Sequence, residues 1–487
     1  MTKFLDASIW EGKLFDGGWI AASLSIPIRE PATGDELGRV GHGSVDALNK
    51  LARAAASANQ TWRDSQPEFR ARILRNAARL LEANADEVAE WIVRETGATF
   101  SKANFEVFLS TAELHEAAAL PTQPAGHILP AANPERLSLA RRVPHGVVGV
   151  ITPWNFPLIL GMRSVAPALA LGNAVVLKPD PQTAVNGGVV IARLFEEAGL
   201  PAGLLTVVPG DAQVGEALVV NPHIGMVTFT GSTAVGRRVG ELAGRHLKKA
   251  SLELGGNNAI IICDDCDIPL AAAAGAWGSF LHQGQICMST GRHIVDRRVA
   301  DPYLDALSTK AKALSIGDPF QKKEVALGPI INSRQIEKIH GIVTDSLAGG
   351  AELRTGGSYD GPFYQPTVLT AVTAEMRAFR EEIFGPVAPV SIVEDDEEAI
   401  RLANSTDYGL VAAVQTGSLD RGLKIARQLR TGIVHVNDQT VNNVAYAPFG
   451  GLGQSGNGSR FGSQSSWDEF TQWQWVTAGS RSPRYPF

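Results

Sequence analysis

An α/β fold with two doubly wound parallel sheets and a small additional β element is predicted by three observations. The chain has 487 residues, too many for one ordinary core, so two or more domains are expected. From residue 146 onward, short β-branched runs alternate with helical segments, the pattern of parallel strands covered by helices. Between residues 121 and 144 the pattern loosens into a Pro/Ala-rich stretch followed by LSLARRV, which reads as an exposed hairpin or strand pair.

Taken in order, residues 45–62, 68–96 and 102–120 place apolar side chains at helical spacing with charges between them, so three helices should cover a sheet. The first alternating block reads GVVGVITP, a helix over 158–171, AVVLKP, a helix over 187–198, LLTVVPG, a helix over 214–220, and MVTFTG. The second begins near residue 260 and mixes helices over 304–314 and 397–403 with strands APVSIV and GIVHVN. Two Rossmann-like domains sharing a cleft follow from this. The expected boundaries are 1–120 with 145–254, then 255–453, with 121–144 and 454–487 forming the small β element and C-terminal tail.

A formal net charge of −6 gives no electrostatic reason to bind nucleic acid or an anionic membrane, and favours small, weakly charged substrates. The N-terminal segment meets Asp6, Glu11 and Asp16 before any signal-like apolar stretch, and no run approaches the ~20 apolar residues of a membrane span. A cytoplasmic protein is expected. Three cysteines, Cys263, Cys266 and Cys287, are too few for a secreted disulfide scaffold. Cys263 and Cys266 form a lone CxxC, expected to be the end of a strand and a turn rather than a zinc or redox site.

Cys287 lies in GQICMSTGRH, residues 284–293. An isolated cysteine is commonly a buried apolar thiol, but Gly284, Gln285, Ser289 and Thr290 describe a tight, open turn, expected at a helix start where a thiolate is stabilised. Glu253 in LELGGNN offers a base for water, and the Asn155 amide in PWNFP can donate to an oxyanion. FTGSTAVG, residues 229–236, follows a strand and opens a helix, so its glycines and free N–H groups suit a pyrophosphate although the strict GxGxxG fingerprint is absent. Lys178 ends a strand at the crevice side of the sheet, and Glu382 in EEIFGPV can accept hydrogen bonds from ribose hydroxyls. Each signal alone also fits an ordinary cap, strand end or surface carboxylate.

Together, PWNFP, LKP, FTGSTAVG, LELGG, GQIC, EEIFGPV and PFGG with SGNG stand in an order that resembles the aldehyde dehydrogenase superfamily over essentially the whole chain. MRSVAPALALGNAVVLKPD, GAWGSFLHQGQICMS and the closing YPF are more narrowly similar to benzaldehyde and vanillin dehydrogenases. The resemblance implies oxidation of an aromatic aldehyde to its acid, with Cys287 as nucleophile, Glu253 as general base, and Asn155 with the Cys287 N–H as oxyanion hole. It implies Lys178 at the adenosine ribose, Gly231 and Ser232 at the pyrophosphate, and Glu382 at the nicotinamide ribose, with Phe384, Trp154 and Leu254 completing the cofactor set. A homodimer or homotetramer, built with the 121–144 excursion, is implied as well. Many NAD-preferring relatives carry a glutamate three residues after the LKP lysine; here that position is Pro181, so NAD with NADP tolerated is expected, with Asp180 beside it as a substitute carboxylate.

Phe156, Ile159, Leu160, Met162, Ile286, Met288 and Phe449 are the expected lining of an apolar pocket suited to a flat aromatic ring. Arg163 is expected to form a structural ion pair rather than a carboxylate clamp for a semialdehyde. Aliphatic and semialdehyde substrates remain alternatives. His282, five residues before Cys287, allows a different chemistry, a cofactor-independent Cys–His hydrolase, and a non-enzymatic role would require an inert thiol.

Overall fold

The computed structural model describes residues 3–487, so Met1 and Thr2 of the first expected domain lie outside the described residues. Five parallel strands form the first sheet in the order Lys249–Glu253, Met226–Thr230, Val147–Ile151, Ala174–Lys178 and Leu205–Val207. Lys13–Phe15 and Trp19–Ala21 extend it antiparallel. The central strands are buried almost throughout, as helices on both faces require. Chain order reverses between Val147–Ile151 and Met226–Thr230, the switch point at which connections leave in opposite directions and a crevice opens beyond the strand ends. The PWNFP segment follows the first of these strands and the Gly231–Ser232 turn the second, so both reach that crevice.

The second sheet runs Glu352–Thr355, Thr367–Thr370, Val387–Val393, Thr290–Asp296, Asn258–Ile262, Val411–Gln415 and Ile433–Val436. All neighbours are parallel except the first pair. Cys287 and Glu382 lie just before Thr290 and Val387, at the amino ends of these strands, while Glu253 closes a strand of the first sheet. A separate apolar cluster of Leu109, Phe156, Ile159, Leu160, Ile286, Met288, Val441 and Phe449 joins elements of the two bodies around the thiol.

The helix expected over 68–96 is two helices, Pro67–Ala83 and Ala85–Thr96. Asn84 breaks the run at φ −115° and ψ 19°; its backbone N–H and its side-chain amide both donate to the Leu80 carbonyl, at 3.1 and 2.7 Å, and so cap the first helix. Apolar periodicity continues across the break, which is why the sequence reads as one helix. The 187–198 helix likewise begins earlier, as a π-turn over Val185–Val189 whose first amides donate to the buried Glu95 carboxylate.

The strand Arg136–Pro144 pairs antiparallel along its length with Thr471–Gly479, and Gly126–Ile128 lies on its other edge. Residues 454–470 do not follow this small sheet. Phe461, Trp467 and Phe470 pack into the core of the first body, and the Leu254 N–H donates to the Ser455 carbonyl at 3.0 Å. Among the described residues no helix is long and apolar enough to cross a membrane.

Candidate active site

Cys287 is shared by two cavities. One holds Trp154, Asn155, Gly231, Ser232, Leu254, Glu382 and Phe384 and opens into a larger cleft of ≈ 850 Å³ that reaches Lys178 and Asp180. The other is narrow and apolar, lined by Phe156, Ile159, Leu160, Ile286, Met288 and Phe449, with Phe105 and Leu109. Asn155 and Leu160 also border both. The thiol is thus reachable from a cofactor-sized cleft on one side and a ring-sized apolar funnel on the other.

The turn that presents Cys287 is tightly held. His282 and Gln283 take left-handed φ of 49° and 55°, fixed by Gln283 Nε2 donating to the carbonyls of Gly97 and Pro329 at 3.1 and 2.8 Å. The Gln285 side-chain oxygen accepts from the Ile331 N–H at 3.0 Å, and Asn258 Nδ2 donates to the Cys287 and Ser289 carbonyls at 2.8 and 2.7 Å. Gly256 must be a glycine, because a Cβ there would collide with the Cys287 carbonyl. The expected helix start is not present: Cys287 precedes the Thr290–Asp296 strand in a turn closed by the Ser289 N–H to the Ile286 carbonyl at 2.9 Å. With no helix N-terminus to favour a thiolate, burial dominates and pushes the thiol up to about 12; the Glu382 carboxylate adds to this and the Arg163 guanidinium opposes it.

Asn155 is buried, and its Nδ2 donates to the Gln285 carbonyl at 2.9 Å, leaving the second amide hydrogen for a ligand. Glu253 is also buried, and neither carboxylate oxygen has a well-formed hydrogen-bond partner. Burial raises its pKa well above the usual carboxylate range, against the pull of Arg163 and Arg460. Gly450 is required opposite it, since a Cβ there would lie 2.7 Å from Glu253 Oε1 and collide with the Ser459 carbonyl. A buried carboxylate whose basicity is raised and whose oxygens are free of structural bonds is suited to take a proton from water.

The cleft carries donors that fit a dinucleotide. Ser232 caps the Thr233–Arg245 helix, accepting from the Val235 N–H, so the first turn faces the cleft with its partial positive charge. Lys178 is buried with one long contact, 3.4 Å to the Pro179 carbonyl, and burial lowers its pKa. An ammonium so short of acceptors suits ribose hydroxyls. Glu382 accepts from the Gly256 N–H at 2.8 Å and lies over Gly255, where any Cβ would strike its carboxylate. Trp154 and Phe384 meet edge to face with ring centroids 5.4 Å apart, and Phe384 holds a φ of 58°. Leu254 fills the space left by Gly236.

Of the expected pocket residues, Met162 is not in the funnel. It is fully buried in the core of the first body, because on the Pro157–Ala170 helix it lies two residues past Leu160, about 200° around the axis from that funnel residue. Arg163 makes no ion pair among the described residues; its guanidinium lies 4.2 Å from the Phe449 ring centroid and borders the funnel. His282 packs edge to face on Phe156 and makes no hydrogen bond to Cys287. Burial, with nearby Lys102, holds His282 neutral, well below its usual pKa. It is no partner for a Cys–His hydrolase. Cys263 is buried at a strand end and Cys266 sits in the following turn; both are free thiols pushed up by burial, to about 12 and about 11. Gln335 and Lys338, on the Ser333–Ala348 helix, line the cleft yet carry no sequence signal beyond an ordinary polar helix face. Asn443 enters the funnel from a loop far along the chain.

The aldehyde dehydrogenase family matches residues 19–476. The chain is 53% identical to a vanillin dehydrogenase of Amycolatopsis sp. and 48% identical to a benzaldehyde dehydrogenase (NAD+) of Pseudomonas putida, with all of each chain covered in both cases. It is also similar to the crystal structure of a salicylaldehyde dehydrogenase from Pseudomonas putida G7 complexed with salicylaldehyde, at TM-score 0.94 and 36% identity over 98% of this chain and 99% of that one. With the family model matching most of its length and relatives about half identical over the whole of it, the chain belongs to the aldehyde dehydrogenase family.

Proposed function

We propose that the protein oxidises an aromatic aldehyde such as benzaldehyde or vanillin to the carboxylic acid with NAD(P)+. The observation that carries this reading is the position of Cys287, open to the cleft on one side and to an aromatic-lined funnel on the other. Phe156, Ile159, Ile286, Met288 and Phe449 hold a flat ring by apolar contact, which places the carbonyl carbon at the thiol. Cys287 attacks as the thiolate to give a tetrahedral thiohemiacetal, whose oxyanion accepts from the Asn155 amide and the Cys287 N–H. Bound NAD(P)+ supplies the hydride acceptor. Glu253 then takes a proton from water, which attacks the Cys287 thioester and releases the acid and the free thiol.

On this reading, residues 1–120 with 145–254 bind the cofactor and 255–453 carry the thiol. Lys178 and Glu382 hold the two riboses, Gly231 and Ser232 the pyrophosphate, and Trp154, Leu254 and Phe384 pack against it. NAD is the preferred cofactor with NADP tolerated, because with Pro181 in place of a glutamate the exclusion of a 2′-phosphate falls to the neighbouring Asp180. We infer a homodimer or homotetramer using the small sheet, on which Ile128, Leu137, Trp473 and Trp475 are exposed. A monomer in light scattering overturns that assembly. We infer a cytoplasmic location, which the three free cysteines support.

Arg163 favours a second reading, since a buried guanidinium facing the funnel, with no ion-pair partner among the described residues, also suits a carboxylated aldehyde. A kcat/KM panel of benzaldehyde, vanillin, hexanal and succinate semialdehyde, run with NAD+ and NADP+, separates the two. The aromatic aldehydes are expected to lead. A clear preference for succinate semialdehyde overturns the aromatic assignment.

A further inference from the structure

Lys102 and Glu106 border neither cavity. They lie one turn apart on the Phe100–Ala119 helix with both side chains fully buried, Lys102 Nζ 2.5 Å from Glu106 Oε2. A buried ion pair is weak support for stability, because apolar residues of similar volume commonly serve as well. The remaining atoms of this pair do something that an apolar pair cannot. Lys102 Nζ donates to the main-chain carbonyl of Asn155 at 2.8 Å, and Glu106 Oε1 accepts from the N–H groups of Leu158 and Ile159 at 2.9 and 3.3 Å. The Pro157–Ala170 helix has no side-chain cap of its own at Phe156, so amides left free by its first turn are taken by a carboxylate from another helix. The segment carrying Asn155 is therefore gripped at both ends.

The same ammonium lies 4.0 Å from the Phe156 ring centroid, and Phe156 meets the His282 ring at 5.6 Å. His282 begins the left-handed turn that leads to Cys287. One buried cation thus touches the asparagine segment directly and the thiol turn through a single aromatic ring.

We propose that Lys102 and Glu106 are positioning residues for the oxyanion site, fixing the Asn155 amide relative to Cys287 through main-chain atoms and Phe156 without touching the substrate. The inference rests on Asn155 acting as the oxyanion donor. Asn155 Nδ2 is anchored on one side by the Gln285 carbonyl, so a shift of its backbone turns the second hydrogen away from the reacting oxygen. A misplacement of about 1 Å is enough to cost about 10²-fold in rate.

The test is single-turnover hydride transfer to NAD+ from benzaldehyde, followed as reduced cofactor, in Lys102→Met, in the charge-free double variant Lys102→Met/Glu106→Leu, in Asn155→Ala, and in the double variant combined with Asn155→Ala. The charge-free variant leaves no lone buried charge, so it carries the test if Lys102→Met fails to fold. Loss of the pair is expected to slow hydride transfer about tenfold or more with KM for NAD+ changed less than about twofold. In the Asn155→Ala background the same loss should cost less than about twofold, because no donor remains to be placed. A wild-type rate in the charge-free variant, or an equal cost in both backgrounds, overturns the positioning role alone. A wild-type rate in Asn155→Ala overturns the oxyanion assignment itself and the positioning role with it.

Discussion

The Arg163 guanidinium lies 4.2 Å from the centroid of the Phe449 ring, stacked on an aromatic wall of the funnel rather than paired with a carboxylate. From there its charge lowers the pKa of both Cys287 and Glu253, opposing the burial that raises each. One side chain therefore links the shape of the apolar funnel to the ionisation of both the Cys287 thiol and the Glu253 carboxyl.

Replacing Arg163 by Met keeps apolar bulk against Phe449 and removes the charge. The thiol is then expected to titrate higher still, so alkylation of the cofactor-free protein by iodoacetamide at pH 9 should slow about threefold to tenfold. An unchanged alkylation rate shows that the charge does not reach Cys287.

Cys287 itself sets the pH response. Attack requires the thiolate, and burial has pushed the thiol up to about 12, so the reactive fraction of the cofactor-free protein is small at neutrality and grows with pH. Iodoacetamide modification should accelerate about tenfold per pH unit between pH 7 and 10. A plateau below pH 9 contradicts a thiol raised by burial.

Glu253→Gln separates the two halves of the reaction. On the proposed mechanism the substitution spares hydride transfer and removes the proton acceptor for water, so a burst of about one reduced cofactor per site should precede a steady state slowed about 10²–10⁴-fold. Absence of the burst, with a wild-type burst as control, places Glu253 before hydride transfer, in activation of the thiol. Cys287→Ala should abolish both phases.

On the proposed reading, Asp180 is the carboxylate that weighs NAD+ against NADP+. Its Oδ1 accepts from the Gln182 N–H at 2.9 Å, which holds the carboxylate beside Lys178 in the cleft. Asp180→Asn keeps that acceptor and removes the charge, so kcat/KM with NADP+ should rise about tenfold while that with NAD+ changes less than about twofold. A parallel change with both cofactors shows that the carboxylate does not face the 2′ position.

The sequence by itself determined the alternation of strands and helices, the two sheets, and the motifs that carry Cys287, Glu253, Asn155, Lys178 and Glu382, because burial on both strand faces and glycine-rich turns leave local signatures. It also located most of the funnel, since Phe156, Ile159, Ile286 and Met288 sit within four residues of Asn155 or Cys287. Tertiary structure alone decided the rest. Met162 and Arg163 are chain neighbours, yet one faces the core and the other the funnel, a choice made by the packing of one helix between the sheet and the interface. Read from the sequence, Met162 belongs to the funnel and Arg163 to an ion pair, and that packing reverses both. Whether Cys287 meets a helix dipole or a buried turn depends on what surrounds residues 281–289, and here burial prevails. Gln335, Lys338, Asn443 and the Lys102–Glu106 pair reach the site only because distant segments converge there, and convergence of that kind has no local pattern in a sequence.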